Sequence, residues 1–295
     1  MRKSLNITVL AAMLTQTAFA QHDTILIQPV PCPEGEWELA FSDEFEGDRL
    51  NTADWITWYP YTDDGSDQCA FCRTHGNEGQ VFLDENVVVS GGLLKIIAKK
   101  EKAVWMGEER EHTSGMIHSR RAFGHGKYEF RCRLPEGNGF WPALWTFGQI
   151  SAEIDLMEAG MQRPKRFHTS VHNWKIKKMA HKRHRLKTSL SDDYHVFTME
   201  WEPNIIRFYI DGSEVWQLHR FTNRRGKNLR KCPVRPGRYR TQPVFPPENE
   251  KLYIIAGLGI GTEKTPFTKL PGPETVFPNQ MEIDYFRYYV RRNHH

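Results

Sequence analysis

The sequence has almost no helical periodicity. No long stretch repeats apolar residues at the three-and-four spacing that an amphipathic helix needs, which excludes a helical bundle and leaves little room for an α/β layer. Beyond the N-terminal residues there is no apolar run near the roughly 20 residues that span a bilayer, so a membrane is not an expected partner. Cysteine is scarce: five in 295 residues. Cys69 and Cys72 form a Cys-x-x-Cys pair in a polar, loop-like stretch, but no second Cys or His pair stands at ligand spacing, which favours a disulfide over zinc. Cys32, Cys132 and Cys232 are scattered, and an odd count leaves at least one thiol unpaired. There is no internal repeat and no nucleic-acid-binding motif, so nucleic acid is not an expected partner either.

Acidic residues are also missing from two places. Residues 163–187 carry ten Lys or Arg and residues 220–240 carry nine, with no Asp or Glu in either, although the net charge of the whole chain is only +4. Charge segregated in this way points to an anionic partner. Both segments, rich in Lys, Arg, Asn, Gly and Pro, read as long loops inserted between strands.

At the N-terminus, Arg2 and Lys3 precede an apolar stretch from Ile7 to Leu14 and the small-residue site Ala18-Phe19-Ala20. Residues 1–20 therefore read as a signal peptide, with a secreted or periplasmic protein beginning near Gln21. Residues 21–295 are long for one domain but fit a single large β-sandwich or barrel, and a monomer is expected.

What is present is a series of short runs of β-branched or alternating character. They include Asn86-Val-Val-Val-Ser, Leu93-Leu-Lys-Ile-Ile-Ala, Lys127-Tyr-Glu-Phe-Arg-Cys-Arg-Leu, Tyr194-His-Val-Phe-Thr-Met-Glu-Trp, Ile205-Ile-Arg-Phe-Tyr-Ile and Ile283-Asp-Tyr-Phe-Arg-Tyr-Tyr-Val. Gly, Pro, Asn or Asp bound each of them. The pattern predicts an all-β chain, two antiparallel sheets packed as a sandwich or jelly roll. Asp211-Gly212 predicts a tight hairpin, because that pair supplies the positive φ angles of a two-residue turn.

The segment Glu153-Ile-Asp155-Leu-Met-Glu158 carries the chemistry. On a strand, Glu153 and Asp155 share a face and Ile154 points the other way, while Glu158 lies one residue out of phase. A β-bulge near Leu156 and Met157 would bring it back to the carboxylate face. Three acids on one face must raise at least one pKa, which a solvated acidic strand has no reason to tolerate. The pattern suits glycoside hydrolysis, in which one carboxylate attacks the anomeric carbon and a protonated partner serves the leaving oxygen.

The same segment resembles the Glu-x-Asp-x-x-Glu signature of glycoside hydrolase family 16. Phe41-Ser-Asp-Glu-Phe, Asn77-Glu-Gly-Gln-Val-Phe, Thr113-Ser-Gly-Met-Ile, Phe123-Gly-His-Gly-Lys-Tyr-Glu, Gly139-Phe-Trp-Pro-Ala-Leu-Trp and Met281-Glu-Ile-Asp-Tyr-Phe-Arg-Tyr-Tyr resemble family landmarks in family order, over roughly residues 37–291. The resemblance implies a β-jelly roll with a substrate cleft on its concave face and endo-acting, retaining cleavage of β-linked glycans. It makes Glu153 the nucleophile, Glu158 the acid/base and Asp155 the group that orients and tunes the nucleophile, with no cofactor required for catalysis. Retention expects the two working carboxyls about 5 to 5.5 Å apart.

Trp141 and Trp145 would share a strand face just upstream of the acids, where an indole complements the apolar face of a sugar ring; core packing is the alternative for both. By resemblance Trp145 is the first candidate for the subsite beside the nucleophile. Asn77 resembles a family asparagine that hydrogen-bonds sugar on the non-reducing side, with a turn-forming role as the alternative. His172 matches a position near the leaving-group side, and His168 lies four residues earlier on the same face. The resemblance also places a structural calcium near Glu44 and Asp284, since oxygen ligands suit a hard cation.

For the polymer, the first basic segment directly follows the carboxylate strand, and arginine pairs well with oxyanions. Gln149-Ile-Ser-Ala152 and Ala159-Gly160 stand where relatives acting on β-1,3-glucans commonly carry Trp-Pro then Gly, and a later Tyr. The expected substrate is therefore an anionic, sulfated red-algal galactan such as carrageenan or porphyran. The alternatives are a neutral β-1,3-glucan, a catalytically silent glycan-binding protein on the same fold, and a transglycosylase in which a sugar intercepts the intermediate.

Overall fold

The computed structural model describes residues 24–27, 34–229 and 234–292. The expected signal peptide, Cys32 and Cys232 lie outside the described residues. Two large antiparallel sheets dominate, and none of the described residues forms a helix long and apolar enough to cross a membrane. One sheet has seven strands, in the order Lys178–Arg185, Arg166–Asn173, Ala152–Glu158, Phe140–Gly148, Leu252–Ile260, Met116–Ser119 and Trp55–Ile56. The other has eight, with Gly126–Arg133 and Asn279–Arg291 at its centre. This is the jelly-roll sandwich expected from the spacing of the short strands.

Alternation along the strands builds the core. In Phe140–Gly148, Phe140 and Leu144 are fully buried between the sheets, whereas Trp141, Ala143, Trp145 and Phe147 line a cleft on the opposite face. Leu252–Ile260 behaves alike: Ile254, Ala256 and Leu258 pack in the core, Gly257 and Gly259 in the cleft floor. Phe130, Phe197, Phe208 and Phe286 fill the core from the eight-stranded sheet. Each such side chain contributes about 1.5 to 3 kcal/mol by leaving water.

The Asp211-Gly212 hairpin forms as expected, joining Ile205–Ile210 to Ser213–His219 with φ of 49° and 74° at the two turn residues. Cys69 and Cys72 are disulfide-bonded, and Cys132 is a free, buried thiol. The first basic segment departs from expectation. Residues 163–187 hold the hairpin of Arg166–Asn173 and Lys178–Arg185, paired over eight residues, in place of a long loop. The outer strand is exposed along almost its whole length and has an unpaired edge, so it carries no apolar alternation to announce itself. The second segment is closer to the loop reading, with only the short strands Phe221–Thr222 and Gly237–Thr241 among its described residues.

Candidate active site

The carboxylate strand Ala152–Glu158 lies between Phe140–Gly148 and Arg166–Asn173. Strict alternation would turn Glu158 into the core. Phe147 faces Glu153 and Trp145 faces Asp155, but the next partners are Leu144 with Met157 and Ala143 with Glu158. One extra residue, Leu156, is thus absorbed by a bulge, and the register with the other neighbour shifts between the same acids. Glu153, Asp155 and Glu158 all line the cleft.

The turn that enters this strand is held from beneath. Glu250, buried, accepts hydrogen bonds from the backbone N–H groups of Ile150 (2.8 Å), Ser151 (3.0 Å) and Ala152 (3.2 Å). A Cβ at Gly148 would lie 2.7 Å from that carboxyl, so the glycine leaves room for it.

Asp155 sits between the other two acids and is almost fully buried. Its Oδ2 accepts a hydrogen bond from the Ser170 hydroxyl and lies 3.1 Å from His172 Nε2, which is also 3.6 Å from Glu153 Oε1. Burial alone would lower the His172 pKa, but the hydrogen bond and charge of Asp155, with Glu153 behind, raise it. Trp174 stacks on the His172 ring, 5.5 Å between centroids and 5° between planes, and its Nε1–H donates to Glu153 Oε2 at 2.9 Å.

The two glutamates differ in consequence. Burial, then the charge of Asp155, pushes the Glu153 pKa up to about 8, partly countered by His172 and the Trp174 hydrogen bond. Burial and the charges of Asp155 and Glu153 push Glu158 well above the usual carboxylate range, with only the nearby Trp141 indole to oppose them. The Trp141 Nε1–H closes no hydrogen bond with any acceptor. Glu153 therefore ionises before Glu158. One carboxylate and one carboxylic acid on a common face can perform nucleophilic and acid catalysis together.

Aromatic residues wall the cleft on one side of the acids. Tyr59 and Tyr61 stack 5.3 Å apart, and Tyr59 and His75 both approach Trp145, at 6.1 and 5.6 Å. The Tyr59 N–H donates to Cys72 O at 2.8 Å, so the disulfide loop supports this wall. Trp145 is buried against Tyr59 and Phe82 yet still lines the cleft, so its packing and sugar-facing readings coexist; Trp141 is more exposed.

The remaining expected residues divide. His172 reaches the acids as described. His168 stands opposite Glu158 in register and against Phe267, which in turn meets Trp141. Asn77 is an exposed turn residue whose carbonyl accepts from Thr262 Oγ1 at 2.6 Å; the side chain that faces the cleft is its neighbour Glu78. Burial raises the Glu78 pKa to about 7, against a hydrogen bond from Gln80. A Cβ at Gly259 would lie 2.8 Å from Glu78 Oε2, and that glycine within a hydrophobic strand was a legible sign of close approach. Glu44 and Asp284 are each engaged by a guanidinium, Glu44 by Arg287 (2.8 and 2.9 Å) and Asp284 by Arg131 (2.6 Å). A calcium ion on those carboxylates would have to displace both arginines, so these two side chains do not fit it as they stand.

Trp174, Ser170, Glu250, Tyr59, Tyr61 and His75 escaped sequence reasoning. They come from separate strands and loops, and only the fold brings them to the acids.

Residues 78–244 match the family model for glycosyl hydrolases family 16. A beta-glucanase of Rhodothermus marinus is 30% identical over 273 residues, covering 86% of this chain and 85% of the relative. Glucan endo-1,3-beta-glucosidase A1 of Niallia circulans is 26% identical over 91% of this chain, which spans 40% of that relative's length. The catalytic domain of an endo-1,3-beta-glucanase (laminarinase) from Thermotoga petrophila RKU-1 has the same fold, with a TM-score of 0.71 at 24% identity over 88% of this chain and 100% of that one.

Proposed function

This chain belongs to glycosyl hydrolases family 16, and on that premise we propose that it is an endo-acting β-1,3-glucanase that cleaves with retention of configuration. The observation that carries the chemistry is the unequal pair on one bulged strand: Glu153 held by Trp174 and His172, and Glu158 kept protonated by burial. The glucan backbone is supported by the names of the glucanase relatives, which favour it over the red-algal galactan expected from the basic segments.

In the first step the Glu153 carboxylate attacks the anomeric carbon, the bond from that carbon to the leaving oxygen breaks, and Glu158 gives its proton to that oxygen. In the second, a water oxygen attacks the same carbon, Glu158 takes the water's proton, and the bond to Glu153 breaks to regenerate its carboxylate. Asp155 orients and tunes Glu153, and the Ser170 hydroxyl and His172 hold Asp155 in place. Trp145 and Trp141 offer indole faces to the sugar rings. No cofactor takes part in either step. Export and a single catalytic domain across the described residues belong to the same proposal, resting on the sequence of residues 1–20 and on the two packed sheets.

The test is an assay for new reducing ends on laminarin, lichenan, agarose, porphyran and carrageenans, run with the wild type and Glu153→Gln. The expected result is cleavage of laminarin by the wild type alone, with glucan binding still detectable in the variant. Cleavage of only the galactans would overturn the backbone assignment, and undiminished activity of the variant would overturn the nucleophile.

A further inference from the structure

The aromatic wall occupies one side of the carboxylate strand. On the other side, past the His172 and Trp174 stack, the strands carry a row of cations. In register, Glu158 stands opposite His168 and His168 opposite Arg183; Asp155 stands opposite Ser170 and Ser170 opposite His181; Arg166 stands opposite Arg185. Residues directly opposite one another point to the same face, so these side chains share the cleft face with the acids. The alternate residues of the outer strand turn away, as His184 shows by stacking on Phe167 and Lys182 by donating to Val215 O at 3.0 Å.

On the eight-stranded sheet several arginines are paired: Arg131 with Asp284, Arg287 with Glu44, Arg291 and Arg207 with Glu202. Among the described residues no carboxylate reaches Arg166, Arg183 or Arg185, and residues 163–187 contain none. His168 registers the result, its proton affinity lowered by burial and then by the charges of His181 and Arg183. A charged edge strand guards against edge-to-edge pairing. That role does not account for His168, which sits between Glu158 and Arg183 on the inner strand, or for Arg166 on the same strand.

We propose that this strip, Arg166, His168, His181, Arg183 and Arg185, binds an anionic substituent, a sulfate ester or a carboxylate, on sugars lying beside the scissile bond opposite the aromatic wall. Two strand spacings separate Arg183 from Glu158, about 10 Å, which is within one or two sugar units of the reacting centre. A guanidinium fork pairs with either oxyanion through two parallel hydrogen bonds. The inference rests on the endo-glycosidase reading, since it needs a polysaccharide lying along the cleft. It goes beyond the glucan reading in assigning charge to the substrate.

Laminarin, sulfated laminarin and carboxymethylated β-1,3-glucan share one backbone and differ in charge, so kcat/KM on all three, at about 20 mM and 500 mM salt, isolates the strip. The wild type is expected to prefer an anionic polymer by about tenfold at low salt and to lose that preference at high salt. The Arg183→Ala/Arg185→Ala variant, checked for an intact melting transition, is expected to lose at least fivefold more on the anionic polymers than on laminarin. The better of the two anionic polymers identifies sulfate or carboxylate. Equal losses on charged and neutral polymers, or no wild-type preference, would overturn the proposal. If no β-1,3-glucan is cleaved, the glucan reading fails by itself. Titration of Glu153→Gln protein with a sulfated galactan, with and without the arginine changes, then decides the strip: an unchanged Kd, or no binding, rejects it, and a weakening of about tenfold upholds it.

Discussion

Replacing Trp174 by Phe removes one hydrogen bond from the nucleophile and leaves the rest of its surroundings in place. A phenyl ring can keep the parallel stack on His172, but it cannot donate to Glu153 Oε2. A hydrogen bond to a charged group contributes about 1.5 to 3 kcal/mol. Trp174 is 51% exposed, so water replaces part of the loss, and the lower end of that range, about 1.5 kcal/mol, is expected. That corresponds to about one pKa unit. The bond stabilises the anion, so its loss raises the pKa of Glu153 further above its present value of about 8. The ionised nucleophile is needed for attack, so the acidic limb of kcat/KM, which reports the free enzyme, moves to higher pH by about one unit. Below the limb kcat/KM falls roughly tenfold, and above it the change is small. The limb belongs to the coupled Glu153 and Glu158 pair, so the shift is the quantity to read. A pH profile whose acidic limb stays in place in Trp174→Phe would refute the role given to this indole.

Glu158→Gln removes the proton donor, and kcat/KM on a β-glucan should fall by roughly 10² to 10⁴. An aryl glycoside with a dinitrophenolate leaving group needs no protonation in the first step, which kcat/KM reports, and should lose far less in kcat/KM; equal losses in kcat/KM on both substrates would reject the acid role. Glu250→Gln puts an amide N–H among three backbone N–H donors, and the expected cost of about 2 to 3 kcal/mol should lower Tm by about 5 to 10 °C. A melting temperature within a degree of wild type would show that the turn before the carboxylate strand is held by something else.

The fold was legible because its signals are local. Period-two runs closed by Gly, Pro or Asp, and the Asp211-Gly212 turn, state the strands directly. The acids were legible for a related reason: Glu153 and Asp155 obey the strand period, and the out-of-phase Glu158 called for the bulge that Leu156 supplies. Legibility ended where a residue's meaning depends on a partner far away in the chain. Glu250 is an ordinary acid in sequence and becomes a brace only because residues 148–152 fold over it. Trp174 lies in a stretch dominated by lysine, and its indole reaches Glu153 only once Arg166–Asn173 pairs with the carboxylate strand. The outer strand Lys178–Arg185 hid for the opposite reason, since it buries almost nothing and its polar composition imitates a loop.

The two working glutamates are chemically identical, so their division of labour must come from their neighbours. Glu153 receives an N–H from Trp174 and lies near a His172 whose affinity for a proton is raised. Glu158 receives no completed hydrogen bond and is buried among carboxylates. The Trp174 and His172 contacts partly offset the burial and the Asp155 charge that raise the Glu153 pKa, whereas little offsets the same influences at Glu158. The Ser170 hydroxyl and His172 hold Asp155 in place, and its charge discourages a second one at Glu158. The extra residue at Leu156 therefore sets more than direction. Without it Glu158 would face the hydrophobic core, and the strand would present two acids with no partner to hold the proton that the leaving oxygen requires.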